Sequence, residues 1–296
     1  MNKLKKLGVL IVAVAMIFTL VACGNSDEGV IRITNKNYTE QRLLGQVMKV
    51  YLESKGFETE ISELGGSALC FAALENDNVD IYVEYTGTAY GEYLKHSEIL
   101  SADETYDVTK SEMEEQYGIT WLEPLGFNNT YVLSVTSKTA EELNIASISD
   151  IIPLSGDMEL GCDNEFPLRA DGLPGLMETY AGLEFKKVNS MDQGLTYTAL
   201  NEGQVDINVS YATDGRIAKY NLVNLQDDKN FFPPYYAAPI MKQEFADANP
   251  EVVEALSELS GKFTDETMQK YNLMVDEGGD PDDVATQMLQ DLGLIE

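Results

Sequence analysis

A nineteen-residue stretch that occurs twice constrains the fold of this chain more than any other feature. Residues 67–85, SALCFAALENDNVDIYVEY, return 126 positions later as residues 193–211, QGLTYTALNEGQVDINVSY, and eight of the nineteen positions are identical. Average composition would give about one identity by chance. Each copy has the pattern of a helix end, a polar turn and a short strand with β-branched residues at alternate positions. The chain is therefore predicted to contain two similar α/β halves.

Each copy ends its predicted strand on a tyrosine, Tyr85 in the first and Tyr211 in the second. In open α/β sheets, ligands bind outside the carboxyl ends of the strands. Two such halves that face each other would place one ring on either wall of a cleft. The alternative is that two copies of a common helix–strand unit simply pack their tyrosines into a core. The repeat alone does not decide between these two interpretations.

The first residues have the pattern of an export signal. Three lysines precede an apolar run from Leu7 to Leu20, and the sequence Leu-Val-Ala-Cys then ends at Cys23. The run is too short for an ordinary membrane-spanning helix but has the length of a secretory signal. Leu-Val-Ala-Cys resembles a bacterial lipobox. Residues 1–22 are therefore predicted to be a signal peptide, Cys23 the lipidated first residue and residues 23–29 a polar tether; an ordinary signal peptide cut nearby is the alternative.

The charge of the remaining chain excludes one class of partner. Removal of residues 1–22 leaves 17 basic residues against 50 acidic ones, a net charge of −33. Such a surface is not that of a nucleic-acid-binding protein, and anionic lipid headgroups would repel it. Most of the acids are predicted to form a solvated face. Cys70 and Cys162 lie near the two copies of the repeat and are expected to be two buried thiols rather than a disulfide.

Predicted strands and helices alternate around the two copies. Thr39 is predicted to cap the helix that follows the first strand. The turn from Leu64 to Ser67 opens the next helix, and its free backbone N–H groups could receive a carboxylate; a tight turn explains its two glycines equally well. Residues 121–131 and the stiff, proline-containing aromatic segment 227–236 are predicted to cross between the two halves.

Residues for the common kinds of catalysis are scarce. The chain has one histidine, His96, and no Gly-x-Ser-x-Gly turn, so a histidine-based triad lacks its partners. Neither His-Glu-x-x-His nor a Cys-x-x-Cys pair occurs, so no metal site is expected, and no P-loop or dinucleotide fingerprint predicts a cofactor. A carboxylate pair could still act as acid and base, but nothing among fifty acids selects one. An enzyme is therefore the less favoured class.

Tyrosines occur at the chain turns where strands or crossings should meet the cleft, namely Tyr85, Tyr131, Tyr211 and Tyr235. Several aromatic faces around one cavity suit a quaternary ammonium ion, which has no N–H to donate and is held by the ring quadrupoles. At about 1–2 kcal/mol per desolvated ring, four rings would supply roughly 4–8 kcal/mol. The upper end corresponds to a dissociation constant of about 1 μM. The alternative is a group of rings that seals the edge of a core.

A set of short motifs, in a fixed order, resembles one family. The motifs are Asn37-Tyr38-Thr39-Glu40-Gln41, Leu64-Gly65-Gly66-Ser67, Val79-Asp80-Ile81 with Tyr85-Thr86-Gly87-Thr88, Gly126-Phe127-Asn128-Asn129-Thr130-Tyr131, Arg169-Ala170-Asp171-Gly172, Tyr211-Ala212-Thr213-Asp214-Gly215-Arg216, and Asp227-Asp228-Lys229 with Phe231-Phe232-Pro233-Pro234-Tyr235. Each motif alone is weak, but the ordered set is specific and covers nearly all of the chain after residue 22. It resembles the substrate-binding proteins of ABC importers for glycine betaine, choline, carnitine and related osmoprotectants.

The resemblance implies an α/β, two-lobed periplasmic-binding-protein fold of type II that closes about a hinge on a ligand in the interlobe cleft. Residues 30–128 and 236–296 would form lobe I, and residues 129–235 would form lobe II. The four-tyrosine ammonium cage of the family carries over to Tyr85, Tyr131, Tyr211 and Tyr235. The other implied substrate-binding positions are Thr88 and Asn129 as polar neighbours, Thr39, Glu40 and Gln41 at the rim, and Arg169, which would meet a ligand carboxylate or form a salt bridge with an acid.

The resemblance also implies the partners and the location. The ligand would be a quaternary ammonium small molecule, and the protein would work with separate permease and ATPase subunits. It would be a monomer without affinity for nucleic acid, held on the extracytoplasmic face of the cell membrane by the lipid on Cys23. The Tyr-Thr-Gly-Thr and Arg-Ala-Asp-Gly motifs also occur in relatives that resemble ergothioneine binders, so ergothioneine is an alternative ligand. Two other classes remain: a surface enzyme acting on a small cationic metabolite, and a lipoprotein adhesin.

Overall fold

The structure, a computed structural model, describes residues 29–98 and 100–296. The predicted signal peptide, Cys23 and residues 24–28 of the predicted tether lie outside these residues. Residues 31–296 form one unit that contains two β-sheets.

Strands and helices alternate in the first part of the chain, as the periodicity predicted. They are β1 (Val30–Asn35), α1 (Thr39–Ser54), β2 (Glu58–Glu63), α2 (Ser67–Glu75), β3 (Ile81–Tyr85), α3 (Thr86–Thr88) with a π-helical turn over Ala89–Tyr93, α4 (Ala102–Tyr117) and β4 (Ile119–Trp121). Ser101 caps α4 through a reciprocal pair of hydrogen bonds with Glu104, and Gly118 ends the helix in the left-handed conformation.

The middle of the chain builds a second set of elements. They are β5 (Tyr131–Thr136), α5 (Ser137–Leu143), α6 (Ile148–Ile151), a 3₁₀ turn (Ser155–Asp157), β6 (Glu159–Cys162), α7 (Leu173–Thr179), β7 (Lys187–Ser190), α8 (Gln193–Asn201), β8 (Ile207–Tyr211), α9 (Arg216–Lys219) and β9 (Leu222–Asn224). The chain then returns with β10 (Ala237–Lys242) and ends in α10 (Gln243–Ala248), α11 (Pro250–Ser257), α12 (Asp265–Asp276) and α13 (Pro281–Asp291). Helices α11, α12 and α13 pack against α1.

The two sheets have the same design. The order in the first sheet is β2-β1-β3-β10-β4, and the order in the second is β7-β6-β8-β5-β9. In the first, β1 and β3 run parallel and β10 is antiparallel to β3; in the second, β6 and β8 run parallel and β5 is antiparallel to β8. Every residue of β3 is buried, which fits a strand covered on both faces.

The two copies of the sequence repeat have equivalent places in these sheets, with one helix and one parallel strand each. The carboxylate of Asp80 accepts a hydrogen bond from the backbone N–H of Arg32 at 2.7 Å, and that of Asp206 accepts one from Glu159 at 2.8 Å. In return, the backbone N–H of Asp80 donates to the carbonyl oxygen of Arg32 at 2.8 Å, and that of Asp206 donates to the carbonyl oxygen of Glu159 at 2.9 Å. The matched aspartates therefore lock the matched strand pairs, and the sequence repeat is a structural repeat.

Two local predictions were wrong, and one strand was missed. Thr39 does not cap α1: it is the first helical residue, and its hydroxyl donates to Asp276 on α12 at 2.6 Å. Val79 and Val205, the first of the alternating β-branched residues predicted to form the repeat strands, lie in the connections that precede them, so β3 begins at Ile81 and β8 at Ile207. The central strand β10 was not predicted at all, because it contains Pro239 and a proline is rare in a central strand.

The chain crosses between the sheets twice, in residues 122–130 and 225–236, and the two crossings run side by side. An isolated bridge joins Asn128 to Tyr236. The backbone N–H of Asn129 donates to the carbonyl oxygen of Tyr235 at 3.0 Å, and that of Tyr235 donates to the side-chain oxygen of Asn128 at 2.7 Å. The second crossing begins at residue 225, two residues before the predicted segment 227–236. The paired crossings carry Asn129 and Tyr235 and lead directly into Tyr131.

Candidate functional site

The carboxyl ends of strands from both sheets meet at one cavity of about 110 Å³, called the aromatic cavity below. Tyr85 ends β3 of the first sheet and Tyr211 ends β8 of the second, so each sheet contributes one repeat tyrosine to the lining of the cavity. The structure brings seven of the sequence-predicted residues to this cavity, namely Tyr85, Thr88, Asn129, Tyr131, Arg169, Tyr211 and Tyr235.

Tyr131 is the centre of the aromatic wall. Its ring centroid lies 5.4 Å from that of Tyr211 and 5.3 Å from that of Tyr235, which stands nearly perpendicular to it at 81°. The ring of Tyr38 extends the wall, 5.3 Å from Tyr211. These separations are typical of packed aromatic pairs, so the rings form a continuous surface rather than isolated contacts.

Gly87, in the Tyr-Thr-Gly-Thr motif, provides the space for the Tyr235 ring. A Cβ atom on Gly87 would lie 2.6, 2.7 and 2.9 Å from the Cε1, Cδ1 and Cζ atoms of that ring. The ring therefore packs directly on the backbone of α3, and the hydrogen bonds between the crossings hold its own backbone in place. Proline residues before Tyr235 restrict that backbone further.

Three of the four cage candidates donate their hydroxyl groups to carboxylates. Tyr85 donates to Glu40, Tyr211 to Asp163 and Tyr235 to Asp171, each at 2.7 Å. Burial raises the pKa of all three tyrosines well above the ordinary value, so they keep their protons and act as donors. Because the hydroxyl groups are bound by the protein, these residues offer a ligand their rings.

Arg169 forms the salt bridge that was one of its two sequence interpretations. Its Nε and Nη2 atoms donate to the two oxygens of Asp171 at 2.8 and 2.5 Å. Nη2 also lies 3.5 Å from the hydroxyl oxygen of Thr88, and the guanidinium carbon lies 6.0 Å from the centroid of Tyr131. A second cation at the cavity, Lys36, is paired in the same way, 2.5 Å from the buried carboxylate of Glu84. The lining of the aromatic cavity therefore includes two cations, and each forms an ion pair with a carboxylate of the protein.

The glycine turn before α2 holds a carboxylate, but this carboxylate belongs to the protein. The backbone N–H and the hydroxyl of Ser67 donate to the two oxygens of Glu165 at 3.0 and 3.1 Å. A Cβ atom on Gly66 would lie 2.3 Å from the nearer oxygen, so glycine is needed for this approach. Burial acts to raise the pKa of Glu165, but Lys36, Ser67 and Arg169 together lower it.

The three predicted rim residues, Thr39, Glu40 and Gln41, do not line the aromatic cavity. Thr39 and Glu40 line a second cavity of about 190 Å³. It shares five lining residues with the aromatic cavity, namely Tyr38, Asn129, Asp192, Gln193 and Tyr211. Gln41 lines neither cavity: its amide nitrogen donates to the carbonyl oxygen of Val83 at 2.9 Å, and its amide oxygen accepts from the backbone of Lys36 at 3.3 Å.

Several cavity residues were missed by the sequence interpretation. Lys36 and Tyr38 follow β1 directly, and Asp163 follows β6 directly. The rule that ligands bind at the carboxyl ends of strands had selected Tyr85 and Tyr211, and it would have selected these three as well. Glu165 lies three residues after β6, as Tyr38 lies three residues after β1, so the same rule would have selected it, but not its contact with the distant Ser67.

Comparison with known proteins gives the family. The model of the "substrate binding domain of ABC-type glycine betaine transport system" matches residues 29–291. This chain belongs to that family. It is similar to a glycine-betaine-binding protein of Pseudomonas aeruginosa, with 35% identity over 289 residues that cover 94% of this chain and 92% of the relative.

The chain is also similar to two proteins that are named for other ligands. An ergothioneine transport permease/ergothioneine binding protein of Helicobacter pylori is 31% identical over 90% of this chain, which spans 48% of that protein. A crystal structure of a glycine betaine/carnitine/choline ABC transporter protein is 32% identical, covers 90% of this chain and all of its own, and has a TM-score of 0.75. The predicted type II periplasmic-binding-protein fold is thereby confirmed.

The family also decides between the predicted classes. Its members are substrate-binding proteins of ABC importers, so this chain is a substrate-binding transport protein and not an enzyme. His96, the residue that a triad would have needed, stacks on Tyr90 and contacts Glu112 at 3.0 Å. In the part of the chain that the structure describes, we find no helix with the length and hydrophobicity to span a membrane.

Proposed function

We propose that this protein captures a quaternary ammonium compound, such as glycine betaine, choline or carnitine, in a cage of Tyr85, Tyr131, Tyr211 and Tyr235. The observation that carries the proposal is that all four residues line one small cavity, with three of the hydroxyl groups tied to carboxylates. Rings whose hydroxyls are already bonded suit a trimethylammonium group, which is attracted by the ring face and has no N–H to donate.

The other end of the ligand is proposed to face Thr88, Asn129 and Arg169. Thr88 and Arg169 are 3.5 Å apart at the cavity, and together they offer a hydroxyl and a positive charge to a carboxylate or hydroxyl group of the ligand. Thr39 and Glu40 would contribute from the second cavity, while the bonded amide of Gln41 supports the backbone.

The transport role includes parts that lie outside the described residues. We propose that residues 1–22 are removed and that Cys23 carries the lipid that anchors the protein on the extracytoplasmic face of the membrane. Residues 30–128 and 236–296 would act as lobe I and residues 129–235 as lobe II, with the paired crossings as the hinge. A monomer of this form would deliver its ligand to separate permease and ATPase subunits.

Calorimetric titration of the chain from Gly24 onward tests the proposal. The ligands are glycine betaine, choline, carnitine, proline betaine and ergothioneine, with glycine and histidine as controls that lack the quaternary nitrogen. Binding restricted to quaternary amines is the expected result. Ergothioneine is included because a relative is named for it, and it also carries a trimethylammonium group. Equal binding of glycine and histidine, or no binding of any quaternary amine, would refute the proposal; an adhesin would give the second outcome.

A further inference from the structure

The carboxylates that accept the cage hydroxyls differ in whether a cation neutralises them. Asp171 forms a two-point ion pair with Arg169. Glu40 and Asp163 take part in none of the ion pairs formed within residues 29–98 and 100–296. Both are nonetheless buried, with 3% and 9% of their surface exposed. An unpaired buried charge is costly to a folded protein, so its presence at both repeat tyrosines calls for a reason.

The hydrogen bonds of Glu40 suit its ionised form. Its Oε1 accepts from the hydroxyl of Tyr85 and the amide nitrogen of Asn129, both at 2.7 Å. Its Oε2 accepts from the hydroxyl of Thr213 at 2.5 Å and the amide nitrogen of Asn272 at 2.9 Å. Amide NH₂ groups can only donate, so each oxygen accepts from one amide, and the two hydroxyl groups complete four hydrogen bonds to the carboxylate.

Asp163 is arranged in the same way. Its Oδ1 accepts from the backbone N–H groups of Glu165 and Phe166, both at 2.7 Å, and its Oδ2 accepts from the hydroxyl of Tyr211. Burial raises the pKa of Asp163 and of Glu40, and the hydrogen bonds to their charged forms oppose that rise. Each carboxylate thus presents a negative charge to the hydroxyl end of a cage ring.

We infer that Glu40 and Asp163 determine the specificity of the site for a permanent cation, acting through Tyr85 and Tyr211 on the ligand. The inference rests on the proposed function and explains its charge selectivity. A phenol that donates to a carboxylate gains electron density in its ring, and the carboxylate adds its own field across the ring. A ligand cation in the cage supplies positive charge to Asp163 and adds to that of Lys36, whose ammonium nitrogen lies 5.3 Å from the ring centroid of Tyr85. A neutral molecule of the same shape would supply no such charge.

The size of the effect follows from the geometry. A hydrogen bond and one phenol ring separate each carboxylate from the cage, so a bound ammonium nitrogen would lie on the order of 7 Å away. At an effective dielectric constant of about 20, attraction over this distance changes binding by about tenfold to fiftyfold. The loss of one carboxylate charge should therefore weaken binding of a cation by at least about tenfold and leave a neutral isostere nearly unaffected.

The test compares ligands that differ only in charge. Choline is titrated beside 3,3-dimethylbutan-1-ol, the neutral molecule of the same shape in which carbon replaces the quaternary nitrogen. For Asp163→Asn we expect the ratio of cation to isostere affinity to fall about tenfold or more, and for Glu40→Gln to fall in the same direction. The matched control is Asp291→Asn, which changes a carboxylate that accepts from Tyr271 at 2.5 Å and lines neither cavity. Its ratio should equal that of the unmodified protein.

A second variant separates charge from the hydrogen bond itself. Tyr211→Phe removes the same hydrogen bond as Asp163→Asn but keeps the carboxylate, so it should lose clearly less affinity for choline. Equal losses in these two variants, or a ratio that stays constant while both ligands weaken together, would overturn the inference and leave Asp163 and Glu40 as structural residues. If the unmodified protein binds neither choline nor glycine betaine nor any other quaternary amine, the proposed function itself has failed, which is a different result.

Discussion

Replacement of Gly87 by alanine should displace the Tyr235 ring from the aromatic cavity without changing the ring itself. The added Cβ would lie 2.6–2.9 Å from three ring carbons. Carbon atoms pack best at about 3.5–4.0 Å, so the ring would have to retreat by about 1 Å. It has little freedom to do so, because its hydroxyl donates to Asp171 and its backbone N–H donates to Asn128, each at 2.7 Å.

The expected cost is the contribution of one cage ring. A desolvated ring contributes about 1–2 kcal/mol to binding a cation, which corresponds to a roughly 5-fold to 30-fold rise in the dissociation constant. Calorimetric titration with the tightest quaternary amine measures this rise directly. Gly156→Ala is the matched control, since a Cβ there has no heavy atom within 4 Å, and it should leave the affinity unchanged.

A double-mutant cycle tests whether the effect passes through the ring. Tyr235→Ala should weaken binding by a similar amount, and Gly87→Ala should then cost little in that background, because no ring remains to be displaced. Unchanged affinity in a folded Gly87→Ala protein would show that the ring has room to move. Equal costs of Gly87→Ala with and without the ring would show that the backbone, rather than Tyr235, carries the effect.

Three further outcomes are expected from residues outside the cage. Burial raises the pKa of Cys70 to about 12 and that of Cys162 to about 11, so neither thiol should react with iodoacetamide at about pH 8 until the protein is unfolded in guanidinium chloride; rapid labelling of the native protein would contradict this. Ser101→Ala removes the capping pair of an exposed helix start and should lower the free energy of unfolding by about 1 kcal/mol without changing ligand affinity. Arg216→Met removes the ion-pair partner of two acids, the buried Asp214 at 2.5 Å and Asp276 at 3.1 Å, and should destabilise the protein by about 3–5 kcal/mol in a denaturant titration, whereas a stability equal to that of the unmodified protein would show that neither acid needs Arg216 to balance its charge.

The local pattern of the sequence was sufficient to predict most elements and the repeat. Val, Ile and Leu at alternate or helical spacing mark β1, α1 and the repeat strands because local periodicity decides which face of an element is apolar. Strand β10 escaped this reasoning because its centrality depends on partners, β3 and β4, that are far away in the chain. A proline in a central strand is tolerated here by contacts that no local pattern records.

In the candidate site, too, some features followed from the sequence and others only from the tertiary structure. The sequence alone determined which residue types the proposed cage would offer, since the motifs that contain the tyrosines occur in a recognisable order. Only the tertiary structure decided what stands behind each ring. Glu40 is 45 positions from Tyr85, Asp163 is 48 from Tyr211, and Asp171 is 64 from Tyr235. Asp163 reaches Tyr211 because β6 pairs with β8, and Glu40 reaches Tyr85 because α1 follows β1, which pairs with β3. Hydrogen bonds across such separations leave no periodic signal in the chain.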